Sequence, residues 1–263
     1  MRLLNQSIGA AYVWAIALLS LLAVLSAYEL QRLPVSLIAS VAIASAADAA
    51  IPMLVHKHRP RIPLSGIITG LIIGMVAPIG SPLAAIVLAD LAAVLSKHFI
   101  KARHTNIFNP AALGLLLALA LFGIGDEWWG AGSYNVFGLV LSATPLLVVA
   151  SYEAKRLTAS LAFIAVSLVV YVAYGHGIGS LQALDPLLFS VNYLFAFVML
   201  ADPKTSPHPM GMQLAYGSLV AVLYSALAIS AVPYSLLIAL LSGNAAYALH
   251  RLLGRRHHAA AQA

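Results

Sequence analysis

The sequence predicts an all-α integral membrane protein of about ten transmembrane helices, and three observations predict it. The first is composition: 62% of the residues are hydrophobic, only 8% are charged, and the mean hydropathy is +0.95. A soluble domain carries roughly 25% charged residues, so this chain has too few charges to cover a water-facing surface. The second is run length. The apolar runs are about 15–22 residues long, the length of a helix crossing a bilayer, and lack the alternation of an outer-membrane barrel strand. The third is where the basic residues fall once the spans are drawn.

The first span is expected over Ile8–Ala27 and the second over Pro34–Val55. A signal peptide would begin similarly, but this run is longer than a typical signal core and the whole chain is apolar, so it reads as a span. The third, Pro63–Pro78, is short and Gly-rich; the fourth covers Pro82–His98 and the fifth Pro110–Ile124. Asn135–Tyr152, Leu157–Tyr174, Pro186–Ala201, Gln213–Ser230 and Pro233–Leu252 follow. Prolines open several of these, where a first turn tolerates a missing N–H.

With the N-terminus in the cytoplasm, every Lys and Arg of the 14 except Arg32 falls on the cytoplasmic side, a strong positive-inside pattern. This places the chain in the cell membrane as a multi-pass protein with both termini cytoplasmic. The positive charge is thereby explained by orientation, not by nucleic acid. Trp128 and Trp129 in the outer loop "GDEWWGAGSYN" suit an interfacial belt. Ten spans with both ends inside divide into two inverted five-helix repeats within one membrane domain, 1–263, with halves at about 1–130 and 131–263. Such repeats put a site at the midplane, between short or broken helices in corresponding positions. Here those are the third and eighth spans.

Two polar stretches stand out, "NIFNPAALG" and "ADPKTSPHPMG". Asn109 before Pro110 is disfavoured in a helix and suits an N-cap. The helix start behind it offers free N–H groups and the positive dipole end. Asp202 before Pro203, and Thr205 and Ser206 before Pro207, follow the same logic. Plain capping without a ligand accounts for these residues equally well. Asp48 and Asp90 fall within the second and fourth spans, where an ionisable residue marks an ion or proton pathway or pairs with Ser or Thr in the bundle interior.

Cysteine is absent, which excludes thiolate-held iron–sulfur clusters and disulfides within this chain. All nine His lie at span ends, in loops or in the tail, so bis-His haem is not expected. The "HKHRPR" run and the "RRHHAAAQA" tail read as cytoplasmic basic segments. No nucleotide-binding or hydrolytic motif is evident, and NADH oxidation would need a separate soluble partner.

"NIFNPAALGLLLALALFG" and "FVMLADPKTSPHPMG" resemble the two signature stretches of the NqrB/RnfD family, and "LSGIITGLIIGMVAP" resembles that family's S-x-(x)-T-G-L helix. These are membrane subunits of sodium-pumping NADH:quinone reductase and of the Rnf electron-transport complex. The resemblance spans roughly Pro63 to Leu252. It implies a urea-transporter-like inverted repeat of ten helices that holds a flavin, FMN or riboflavin, non-covalently. It implies as partners the bilayer and the other membrane and soluble subunits of a redox complex. The residues matching the family's stretches are Thr69, Gly70, Phe108, Asn109, Pro110, Asp202, Pro203, Thr205, Ser206 and Pro207. The nearest match to the family's covalent FMN motif is "GLVLSATPLL", with Thr144 as the attachment residue. There Ser142, Leu141 and Gly138 depart from the family's Gly, Ser and Asp, and Thr144 also reads as a helix threonine bonded to its own i−4 carbonyl. A cofactor-free channel or transporter for a small polar solute, on the same fold, is the alternative, and a purely structural assembly subunit a third reading.

Overall fold

A computed structural model describes residues 2–56, 62–102, 105–131, 147–174 and 192–260. Almost all of this is helix. In chain order come α1 (Arg2–Leu30), α2 (Val35–His56), α3 (Leu64–Val76), α4 (Leu83–Phe99) and α5 (Pro110–Phe122), with a short hairpin of β1 (Lys101–Ala102) and β2 (Thr105–Asn106) before α5. Then follow a 3-10 turn (Trp129–Ala131), α6 (147–153), α7 (Leu157–Ala173), a π-helical turn π1 (Phe195–Met199), α8 (Met210–Ile229) and α9 (Ser235–Ala260). Helices occupy the expected first to fifth, seventh, ninth and tenth spans. Most of the sixth and the start of the eighth lie outside the described residues, Thr144 among them.

Four of these helices are long and apolar enough to cross a membrane: those containing Tyr12–Leu30, Val35–Val55, Met210–Ile229 and Ser235–Leu253. Trp14, Tyr28, Leu54 and Leu121 stand 75–80% exposed on the outside of the bundle. A surface that apolar fits acyl chains and not water. By contrast α3 and α5 have 13 residues each, about 20 Å of helix against about 30 Å of hydrocarbon. Short helices leave backbone groups to satisfy at depth, and neighbouring segments cover the ends described next.

The C-terminal carbonyls of α3 are covered by the segment after α5. Glu127 and Trp128 donate backbone N–H groups to Val76 O at 2.9 and 3.2 Å. The Trp129 indole donates to Gly74 O (2.8 Å) and Ala77 O (3.1 Å). Trp129 is fully buried; it caps α3 and does not belong to the expected interfacial belt. The end of α5 turns through Gly123 at φ 63, a left-handed cap that glycine adopts without strain. The Tyr234 hydroxyl shares its one hydrogen between Leu119 O and Ile124 O there, at 3.2 and 2.9 Å.

Small residues set the helix spacing. Gly66, Gly70 and Gly74 form a stripe on α3 against α2: a Cβ added at Gly70 would lie 2.6 Å from Val41 Cα, and one at Gly74 2.6 Å from Leu37 Cα. Gly114 brings α5 against the Ala89 carbonyl of α4, and Gly217 brings α8 against the Ala159 carbonyl of α7. Close backbone approach of this kind replaces the hydrophobic driving force that lipid does not provide. The third span, expected to be broken, is a short unbroken helix. Among the described residues of the expected spans, the π-helical turn falls in the eighth, at π1.

Candidate functional site

Asn109 has the extended backbone (φ −61, ψ 120) that a following proline favours. Pro110 then occupies the first position of α5, and the Asn109 side-chain oxygen accepts from Ala112 N at 3.1 Å, the N-cap that the sequence predicts. Its amide also reaches the other half of the chain, donating to Met199 O at the end of π1 (3.2 Å). Its backbone N–H donates to Asn244 Oδ1 of α9 (2.8 Å). Asn244 in turn donates to the Tyr216 hydroxyl (2.7 Å) and to Thr205 O (3.4 Å). Asn109, Asn244, Thr205 and Tyr216 are all buried. The two polar stretches are thus joined through one buried amide, Asn244. Phe108, half-buried, packs on the core beside them.

The 202–207 loop is folded by its own side chains. Asp202 accepts from Lys204 N (3.0 Å) and the Thr205 hydroxyl (3.2 Å), and the Ser206 hydroxyl donates back to Asp202 O (2.7 Å). This is the local bonding that Asp, Ser and Thr favour in turns. Arg156, in the α6–α7 turn, clamps the loop from beneath. Its Nε donates to the Ser206 hydroxyl (3.0 Å) and one terminal nitrogen to Pro203 O (3.3 Å), while the other holds Lys155 O (3.0 Å). Burial holds the guanidinium below its ordinary value, opposed by Tyr247 and Asp202. Gln213 ties the same turn down through Lys155 O (2.9 Å) and His208 O (2.7 Å). Pro207 is buried beneath the loop. The Lys204 ammonium extends over the Tyr12 ring, 5.6 Å from its centroid.

The remaining predicted site residues gather where α2, α3 and α4 meet. The Thr69 hydroxyl donates to Ser65 O, four residues back, at 2.8 Å. Gly70 is a contact glycine whose carbonyl accepts from the Ser40 hydroxyl at 3.0 Å. Asp90 is fully buried, with the same Ser40 hydroxyl 2.8 Å from its Oδ1. Asp48 lies nearer the basic ends of these helices. Lys97 Nζ is 3.5 Å from its carboxylate, and His98 Nε2 3.9 Å. Lys97 also donates to Ser65 O and Oγ, at 3.1 and 3.0 Å.

Asn244, Ser40 and Arg156 are the functional candidates that sequence reasoning missed. Asn244 carried a signal: it is an amide in the middle of the apolar run "LLIALLSGNAAYAL". Chemically, the Asn109–Asn244 junction holds and orients; it contains no nucleophile paired with a base. No group of three or more His, Cys, Asp or Glu suited to a metal ion occurs among the described residues. The sequence matches no family model, and no curated protein sequence matches it. The resemblance to the NqrB/RnfD family rests on the short stretches quoted above.

Proposed function

We propose that the chain is a membrane electron-transfer subunit of the NqrB/RnfD type. In this reading it has ten spans in two inverted repeats, both termini are cytoplasmic, and a flavin is held non-covalently beside "FNPA" and "DPKTSP". The observation that carries the reading is the junction of these two stretches. They lie about a hundred residues apart in sequence, yet Asn109 bonds to Met199 O and, through Asn244, to Thr205 O. Two stretches that serve one ligand must meet, and these do. The repeat is supported by a parallel between α2 and α7. Each places a buried serine on a carbonyl of the short segment after it, Ser40 on Gly70 O and Ser160 on Ala196 O. The protein would position the flavin and tune its surroundings, and the redox chemistry would belong to the cofactor.

The second reading, a cofactor-free pathway for a small polar solute, is favoured by one observation. Asn244 uses both amide hydrogens and its oxygen within the protein, which leaves little for a ligand. One experiment separates the two. The full chain, purified in mild detergent with its native partners, should carry flavin absorption at near-stoichiometric level. A colourless protein that admits a polar solute into liposomes would replace the first reading with the second. Fluorescence of the denatured band tests Thr144: a fluorescent band that disappears on Thr144→Ala marks a covalent flavin.

A further inference from the structure

We propose that Asp90 is a proton-binding site, held as a neutral carboxylic acid at depth between α2, α3 and α4 and loaded from the end of the bundle that carries Asp48 and Lys97. The inference rests on the membrane placement proposed above but not on the flavin.

The argument starts from hydrogen count. The Ser40 hydroxyl has one hydrogen and two close oxygen neighbours, Gly70 O at 3.0 Å and Asp90 Oδ1 at 2.8 Å. If its hydrogen goes to Gly70 O, Ser40 accepts from Asp90, which then carries a proton. Gly70 O, inside α3, already has a helical donor, so the cost falls on Asp90: ionised, it would be a carboxylate with a single hydroxyl donor in a fully buried setting, a costly arrangement. Asp90 Oδ2 has no hydrogen-bond partner. As the carbonyl oxygen of a neutral acid it tolerates this far better than as half of a carboxylate.

The occupant is a proton and not a metal cation. A hard cation takes about six oxygen ligands. Here the described residues supply the carboxyl group, one hydroxyl and one backbone carbonyl. The charged and titratable groups that face Asp90 are few. α3 and α5 carry none. α2 contributes Asp48, and α4 itself contributes Lys97 and His98. From Asp90 to Lys97 is about 10 Å, two turns of α4. A proton that enters from the Asp48 and Lys97 end binds one carboxylate oxygen of Asp90. Release is the reverse, with no other bond formed or broken.

Infrared difference spectroscopy on the full chain in liposomes tests this. At neutral pH the spectrum should contain the C=O stretch of a protonated carboxyl that Asp90→Asn removes and Asp48→Asn retains. On transfer to heavy water the band should shift, and Asp48→Asn should slow that shift several-fold. Asp90→Asn keeps a donor for Ser40 and should fold. If it does not, Ser40→Ala decides, because the acid then loses its acceptor and its band should move to higher frequency without disappearing. Carboxylate bands in place of the acid band at neutral pH, or a band indifferent to Ser40→Ala, would overturn the proposal. So would loss of the acid band on adding sodium at constant pH, which would make the site a cation site, or exchange as fast in Asp48→Asn as in the unmodified chain, which would remove the route.

Discussion

α2 and α7 solve the same problem with different partners. Each carries a buried serine whose single hydrogen goes to a carbonyl of the neighbouring short segment, at 3.0 Å for Ser40 and 2.7 Å for Ser160. Each serine oxygen also meets a third group, Asp90 Oδ1 at 2.8 Å in one case and the Ser151 hydroxyl at 3.0 Å in the other, and in the proposal above Asp90 is the donor to Ser40. A serine always has a proton to donate; an aspartate has one only in its neutral form. The same geometry is therefore permanent in the second half and conditional in the first. The short segments differ as well. α3 is a regular helix seated on a glycine stripe, whereas π1 widens its turn and exposes carbonyls that Ser160 and Asn109 satisfy.

The comparison breaks first if the halves do not pack by the same rule. Gly114 and Gly217 each sit against a helix carbonyl that an added Cβ would strike. Gly114→Val and Gly217→Val should each cost about 3 kcal/mol or more, by forced separation of packed backbones. The measurement is the unfolding midpoint and the monodisperse yield in detergent. A half that tolerates its valine is packed more loosely than this structure has it.

Next in size is the bond between the halves. Asn244→Leu removes three hydrogen bonds, to Asn109 N, Thr205 O and Tyr216. Buried interhelical bonds in membranes average about 0.6 kcal/mol each, so a loss of about 2 kcal/mol is expected in reversible unfolding. A neutral result would mean that the halves hold together without the amide junction.

How much of this was legible in the sequence follows from what each feature depends on. Helix positions depend on local runs and on bounding prolines, and α5 begins at Pro110 as its N–P pair dictates. The N-cap role of Asn109 was legible for the same reason. Its bonds to Met199 and Asn244 were not, because they join residues 90 and 135 positions apart, and nothing local distinguishes a bridging amide from a lone polar residue in a span. Trp129 misled because an aromatic, Gly-rich segment composes an interfacial belt and a helix cap equally well. Gly70 is placed at the site only by the family resemblance. The stripe it forms with Gly66 and Gly74 is also the spacing of a helix contact, and all three lie against α2. Asp90 was legible as an ionisable group in a span, but its serine partner was not, since Ser40 resembles any other serine in α2.

Third in size are the paired serines. Ser40→Ala and Ser160→Ala should each cost about 1 kcal/mol, the ordinary net worth of a buried hydrogen bond, in the same unfolding assay. Ser160→Ala should do so at every pH, because its partners Ala196 O and Ser151 do not titrate. A pH-dependent loss there would erase the distinction between the halves.

The smallest effect is the most informative about function. Thr69 donates within its own helix, to Ser65 O, and such a back-bond adds little to stability. Thr69→Val keeps the shape and should change stability by no more than about 0.5 kcal/mol. If Thr69 only packs, flavin content at constant yield should be unchanged. If it touches the cofactor, as the family resemblance implies, flavin should fall while the unfolding midpoint stays put. The same substitution thus reads packing and ligand contact on separate scales. The neighbouring Gly70 cannot do so, because any side chain there would part α3 from α2 and lower both together.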